Sequence, residues 1–251
     1  MLNEDEVKVC VAERTEHLFS SVTASAAALS AGMADVLSVM ADAEHFPRKL
    51  PESQLRKALF PVIEHTLAES RYCFGAGFAC HHHLPEDKQP YWFLEWWFKN
   101  PRKNQNSCLE LDQATQQRLD FSTFEWFRNT RDTESVSLHG PYVDYVCTSA
   151  YTLTASSPVI LNHKQVGIAA VDVLVSVIEA ELLALLRQCR QKLVIANPGG
   201  RVMISSHPRY RTGPLFADEQ RGITLRGQHL WLFAPSVAVV LPFMDRRGPL
   251  L

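Results

Sequence analysis

The chain has 251 residues, 46% of them hydrophobic and 21% charged, with a formal net charge of −2. That length supports one large domain or two small ones, and buries enough surface to fold without a metal or a disulfide. A near-neutral balance gives no global basic field for nucleic acid or an anionic membrane. With 11 glycines and 14 prolines the composition excludes collagen-like and low-complexity classes.

The start, MLNEDEVKVC, is acidic and alternating, without the basic start and unbroken apolar run of an export signal. No continuous run of about 18 apolar residues is present, so no membrane span is expected. The six cysteines lack CxxC spacing, and a cytoplasmic location with free thiols is expected.

Residues 5–45 carry apolar side chains at Val7, Val11, Leu18, Val22, Ala26, Leu29, Met33 and Leu37. This helical period predicts a helix that could reach about 60 Å. It suits a dimerisation and relay helix, or a core helix broken near Gly32. A second, short helix starts at Pro51, with Leu55, Leu59, Val62 and Ile63 on one face. Residues 71–79 and 91–98 read as strands joined by a loop from Cys80. The second strand has six aromatics in eight positions, on both faces, so both faces are expected to be covered.

Residues 105–117 are polar, and 121–128 read as a short amphipathic helix or turn. Strands follow at 142–146, 150–161 and 166–173, the last two joined by a hairpin turn at Asn162-His163-Lys164-Gln165. A helix is expected over 174–189, then short strands at 194–197, 201–205, 223–226, 230–234 and 237–242, and a loose tail. Hairpin connections argue for an antiparallel sheet with flanking helices, an α+β fold. The expected organisation is a long helix in 1–50, a ligand-binding domain in 51–190 and a small β-rich subdomain in 191–251.

Four segments come in a telling order: Phe124-Glu-Trp126-Phe127, then Gly140-Pro-Tyr142-Val-Asp144, then Ser157-Pro158-Val159, then Gly167-Ile-Ala-Ala-Val-Asp172. Together they resemble the Cache family of extracytoplasmic sensor domains over residues 5–190. The resemblance implies a PAS-like antiparallel sheet behind a long N-terminal helix, and a small-molecule site. The later hairpin at 194–206 is similar to the opening of a second, truncated module of double-Cache receptors. In amino-acid-binding members an Arg-x-Trp-Tyr motif holds the ligand carboxylate, and a Tyr-x-Asp and a final strand Asp hold the amine. Trp126, Tyr142, Asp144 and Asp172 fall on those positions. Phe124 stands where the family has Arg, and Phe127 where it has Tyr, so the bidentate carboxylate fork is lost. What the resemblance leaves is the amine half.

The residue chemistry agrees. Asp144 and Asp172 are carboxylates within apolar strands, and two buried carboxylates near one site repel unless one is protonated or a cation lies between them. A ligand ammonium satisfies both, and Trp126 and Tyr142 offer faces for it. Phe127, in place of a tyrosine, tilts toward an alkylated amine. The alternative is that Asp144 caps a turn and Asp172 caps the helix that follows.

Other motifs carry less. Adjacent histidines at His81, His82 and His83, near Cys73 and Cys80, point in different directions, and a solvated loop is favoured over a metal site. Gly75 and Gly77 fit close strand packing better than a dinucleotide loop. The aromatic strand lacks the basic stripe of a nucleic-acid platform. His139, His163, Glu110 and Asp112 form no recognisable triad.

The sequence therefore predicts a soluble, non-enzymatic sensor without a cofactor, recognising an amine (biogenic amine, polyamine or quaternary ammonium). Its expected partners are that ligand, a separate signalling protein and a second copy of itself, with no nucleic acid and no membrane. The rival readings are a Cache-like binder of a carboxylate or uncharged ligand, a metal-dependent hydrolase built on His81–His83, and a structural dimer with a filled core.

Overall fold

The computed structural model describes residues 3–40, 46, 50–82, 91–100, 103, 105–109, 120–131, 133–216 and 225–234. The expectations for His83, Glu110, Asp112, residues 237–242 and the tail lie outside them.

The long helix, α1 (Glu4–Met40), is continuous. It does not break at Gly32, where the missing side chain leaves room for α2 (Glu52–Glu69): a Cβ there would meet Val62 Cγ1 at 2.8 Å. Its buried stripe, among it Val11, Leu18, Val22, Leu29 and Met33, packs on the central strands β5 (Ala150–Leu161) and β6 (Lys164–Leu174). Ser30 donates to the Pro158 carbonyl at 2.6 Å.

The main sheet adds β1 (Gly75–His82), β2 (Tyr91–Asn100), β3 (Gln105–Cys108) and β4 (Ser137–Asp144), in the order β3-β2-β1-β6-β5-β4. Every pairing is antiparallel. The β5–β6 turn holds Asn162 and His163 at φ 48° and 64°, which asparagine tolerates and which suits a two-residue hairpin. Helix α4 (Val175–Gln188) follows β6, and a smaller sheet in the order β8-β7-β10-β9 is built from β7 (Val194–Ala196), β8 (Val202–Ser205), β9 (Leu225–Arg226) and β10 (Trp231–Phe233).

Three sequence expectations shift. β1 begins at Gly75, since residues 71–72 are a turn. The polar stretch contains β3, an edge strand that can stay polar because it has one neighbour. β4 spans Ser137–Asp144, earlier than expected, because a bulge between His139 and Tyr142 absorbs Gly140-Pro141.

The sheet sorts its side chains by parity. Phe93, Ala169, Val171, Val173, Leu153 and Ala155 face the helices. Leu94, Trp96, Ile168 and Ala170 face the other way, against Phe121, Trp126 and Phe127. Both faces of the aromatic strand are covered, as expected. On the helix side the buried Glu95 pairs with Arg56 of α2 and accepts from Trp97 Nε1 at 2.7 Å.

Trp96 lies flat across β1 because nothing stands in its way at Gly77. A Cβ there would meet the Glu95 carbonyl at 2.3 Å and Trp96 Cε3 at 2.4 Å. Backbone cannot rotate aside, so Gly77→Ala is expected to destabilise the protein by about 3 kcal/mol, read as a lower denaturation midpoint with an unchanged slope.

Candidate functional site

On the sheet face away from α1, a short segment closes over the strands. Asp120 caps a 3-10 turn (Phe121–Thr123) by accepting from the Ser122 amide at 3.1 Å, and a single turn of helix, α3 (Glu125–Arg128), follows. Phe121 anchors this lid. It is fully buried, 4.8 Å from Trp92 between ring centroids and stacked at 6.4 Å on Trp126.

Beneath the lid is a cavity of about 50 Å³, lined by Leu94, Trp96, Leu109, Phe121, Phe124, Trp126, Tyr142, Asp144, Val146, Cys147 and Asp172. By the measure in which one water needs about 10–15 Å³, it holds a guest of a few heavy atoms. Five of the six residues singled out from the sequence line it: Phe124, Trp126, Tyr142, Asp144 and Asp172. The sixth, Phe127, does not. It packs edge-on against Phe121 at 5.0 Å and turns into a separate cavity with His81, His82, Arg131, Gln165, Gly167 and Ile168. Successive residues of a helix diverge by about 100°, so Trp126 and Phe127 cannot share one pocket wall.

Asp172 is 5% exposed on the central strand β6, opposite Thr154 of β5. Thr154 Oγ1 donates to Asp172 Oδ1 at 2.6 Å. A threonine hydroxyl has one proton, so the 2.6 Å contact between Tyr142 Oη and Thr154 Oγ1 has the tyrosine as donor. The Tyr142 oxygen is left with lone pairs alone. Burial pushes the Asp172 carboxyl up to about 8; the Thr154 hydrogen bond opposes this, and the Asp144 charge adds to it. Burial and the Asp172 charge push the Tyr142 phenol well above its ordinary range. The Cys147 thiol is raised too, by burial and then by Asp144 and Asp172. No side chain caps α4, so Asp172 is not a helix cap.

Asp144 does cap a turn. Its Oδ1 accepts from the amides of Val146 and Cys147 at 3.0 and 3.2 Å, and its Oδ2 from Thr148 Oγ1 at 3.4 Å. It is 8% exposed and still lines the cavity, so the capping and lining readings hold together. Among the described lining residues there is no Arg and no Lys.

Sequence reasoning missed Trp96, Leu94 and Thr154. The signal for the first two was strand parity within β2; Thr154 follows from its pairing with Asp172, which requires the hairpin register. Of the histidine cluster, His81 and His82 are described, and both line the cavity beside Phe127. His81 and His82 are consecutive on β1, and His82 Nε2 meets the Val166 carbonyl at 2.8 Å. Among the described residues no group of three or more His, Cys, Asp or Glu is placed to hold a metal.

The family model described as Methyl-accepting chemotaxis protein-like, first PDC sensor domain, matches residues 59–180. No curated protein matches. Among solved structures, the ligand-binding domain of the Campylobacter jejuni chemoreceptor Tlp3 in complex with L-valine is similar at 15% identity and a TM-score of 0.56, over 82% of this chain and 71% of that one. The ligand-binding domain of the Pseudomonas aeruginosa PAO1 amino acid chemoreceptor PctC in complex with GABA is similar at 14% identity and a TM-score of 0.53, over 91% and 95%. The extracellular domain of mmHK1S-Z3, described as a candidate histidine kinase, is similar at 16% identity and a TM-score of 0.50, over 74% and 62%.

These findings overturn the expected cytoplasmic location, since the matched family is a chemotaxis-receptor sensor domain and one similar fold is an extracellular domain. The expectation that no segment could span a bilayer also fails: α1 contains an 18-residue stretch of mean hydropathy 1.4, enough by length and composition alone. Alanines between the larger apolar residues keep that hydropathy high although serines interrupt the apolar run. The chain has a PDC/Cache sensor fold, with the family match running from within α2 to within α4.

Proposed function

We propose that this is the ligand-binding domain of an extracytoplasmic sensor, and that its ligand is a small organic amine held between Asp144 and Asp172. The observation that carries the reading is one cavity lined by two buried carboxylates and aromatic rings, with no cationic side chain among its described lining residues. Once Asp172 is ionised, above about pH 8, the polar groups facing the guest are acceptors: Thr154 donates to Asp172, Tyr142 commits its proton to Thr154, and the carboxylates carry none. A guest must therefore bring hydrogens and positive charge. Trp96 and Trp126, 6.2 Å apart, add ring faces worth about 0.5–2 kcal/mol each for a cation. Phe124 occupies the position where a carboxylate-gripping arginine would stand in amino-acid-binding relatives, and offers no charge.

A second reading, a zwitterionic amino acid, is favoured by the L-valine and GABA complexes of the similarly folded domains. Thermal-shift measurements at pH 8.5 separate the two. Choline, ethanolamine, putrescine and isobutylamine are expected to raise the melting temperature according to RT ln(1 + [L]/Kd), with L-valine and GABA at least tenfold weaker. Stabilisation by L-valine or GABA with the amines inert would establish the second reading instead. Signalling to a separate protein, and self-association through α1, belong to the same proposal.

A further inference from the structure

The bulge in β4 leaves one carbonyl in an unusual position. Gly140 sits at φ 102°, where its missing Cβ would meet the Thr152 carbonyl at 2.8 Å, and Pro141 after it has no amide proton. The pairing with β5 skips both residues and resumes at Tyr142. The Gly140 carbonyl is therefore outside the ladder, and its donor comes from the other sheet: Asn197 Nδ2 at 2.7 Å. Asn197 stands at the β7–β8 turn, and that turn fixes the rest of it. Its amide donates to the Arg201 carbonyl at 2.9 Å, its carbonyl accepts from Gly200 at 2.8 Å, and its Oδ1 accepts from the Arg201 amide at 2.9 Å. With Oδ1 committed, the side-chain nitrogen has one direction to point, toward Gly140.

The strand that Asn197 touches is the one that carries the site. Tyr142 and Asp144 lie two and four residues beyond Gly140, and Val146 and Cys147 sit in the turn that Asp144 caps. The loop after β8, tied to that strand by the Gly213 amide bond to the Val202 carbonyl at 2.9 Å, also meets β5. Gly213, at φ 108°, packs against the Tyr151 ring, and Arg201 Nη1 donates to the Gly213 carbonyl at 2.6 Å. Tyr151 pairs with Val143. The β7–β8 turn and the loop after β8 thus hold the β4–β5 pair on both strands.

We infer that Asn197 is a positioning residue that ties the small sheet to the ligand cavity, setting the β4 bulge that aims Tyr142 and passing changes at the site to the β7–β8 turn. A bulge re-aims the side chains beside it, and a bulge whose freed carbonyl has a single side-chain donor moves when that donor is lost. The inference concerns the cavity described above and rests on its being a ligand site only for the direction of the signal.

Asn197→Asp isolates the bond. It keeps an oxygen to accept from the Arg201 amide, so the β7–β8 turn survives, and it cannot donate to Gly140. In hydrogen exchange on the full chain without ligand, residues 137–146 and 150–154 are expected to exchange about tenfold faster in Asn197→Asp than in the wild type, the effect of one lost buried hydrogen bond. Residues 194–205 should be unchanged. Faster exchange confined to 194–205, or no change at 137–146, would overturn the inference, and neither outcome depends on any ligand. Asn197→Ala, which loses both side-chain bonds, should quicken both regions; if 137–146 stays at its wild-type rate there too, the tie is absent. Adding choline chloride at pH 8.5 to the wild type is expected to slow exchange at 194–205, and this response should vanish in Asn197→Asp. A full response in the variant would overturn the transmission role. If choline leaves the melting temperature of the wild type unchanged, the amine assignment loses its support, and the ligand-free comparison still decides the role of Asn197.

Discussion

Replacing Asp172 with Asn is expected to raise the melting temperature of the ligand-free protein at pH 8.5 and to end its response to amines. In the fold, burial holds the Asp172 carboxyl up to about 8, whereas in the unfolded chain an aspartate titrates near about 4. Between those values the folded state keeps a proton that the unfolded state releases. Stability therefore falls as pH rises from about 4 to about 8, and is independent of this group below and above that window. Asparagine keeps an oxygen for Thr154 and removes the titration. The full span corresponds to about 5 kcal/mol; the amide's own unmet hydrogen bonds reduce the expected gain to about 2 kcal/mol, or about 4–8 °C for a chain of this size. At pH 4 the gain should disappear. A variant that is destabilised equally at pH 4 and pH 8.5 would mean that Asp172 is a structural hydrogen-bonding residue and not a poised carboxylate. The coupling of better stability to lost binding is the signature expected of a residue kept for its ligand.

The second large effect is on affinity. A cation that enters beside Asp172 must displace its proton, so below about pH 8 the apparent affinity should rise tenfold per pH unit and then level off above it. Choline is the suitable probe, because it does not titrate. Two neighbouring titratable groups of the cavity stay out of this window: the Tyr142 phenol and the Cys147 thiol are both shifted upward, away from it. Calorimetry at pH 7 in buffers of differing ionisation enthalpy should show close to one proton released for each choline bound. An affinity that is flat between pH 6 and pH 8.5 would mean that the guest does not approach the Asp172 carboxylate.

Much of this fold is written locally. The apolar stripe of α1, the hairpin at Asn162 and the two covered faces of β2 each follow from period and turn chemistry, although the hairpin turn is two residues shorter than expected, with Lys164 and Gln165 already in β6. β3 was illegible because an edge strand needs no apolar pattern, and the start of β4 because a Gly-Pro pair reads as a break until a bulge absorbs it. For the site, two aspartates inside apolar strands were a signal in themselves. Which side chains join them was not, since the parity of β2 shows that Leu94 and Trp96 share a face but not that this face meets the lid. Phe127 shows the limit of carrying a motif over whole: its neighbour Trp126 lines the cavity, and helical geometry turns Phe127 away. The cytoplasmic reading failed for a different reason, because it was drawn from what the first residues lack, while the matched family is a chemotaxis-receptor sensor domain.

The most direct test of an amine site is calorimetric titration of the full chain at pH 8.5 with matched pairs: choline against 3,3-dimethyl-1-butanol, and isobutylamine against isobutanol. Each pair has nearly the same shape and differs in charge. A cavity walled by Asp144 and Asp172 should bind the charged member of at least one pair a hundredfold or more tighter, a difference of about 2.7 kcal/mol. Equal binding of charged and uncharged members would contradict it.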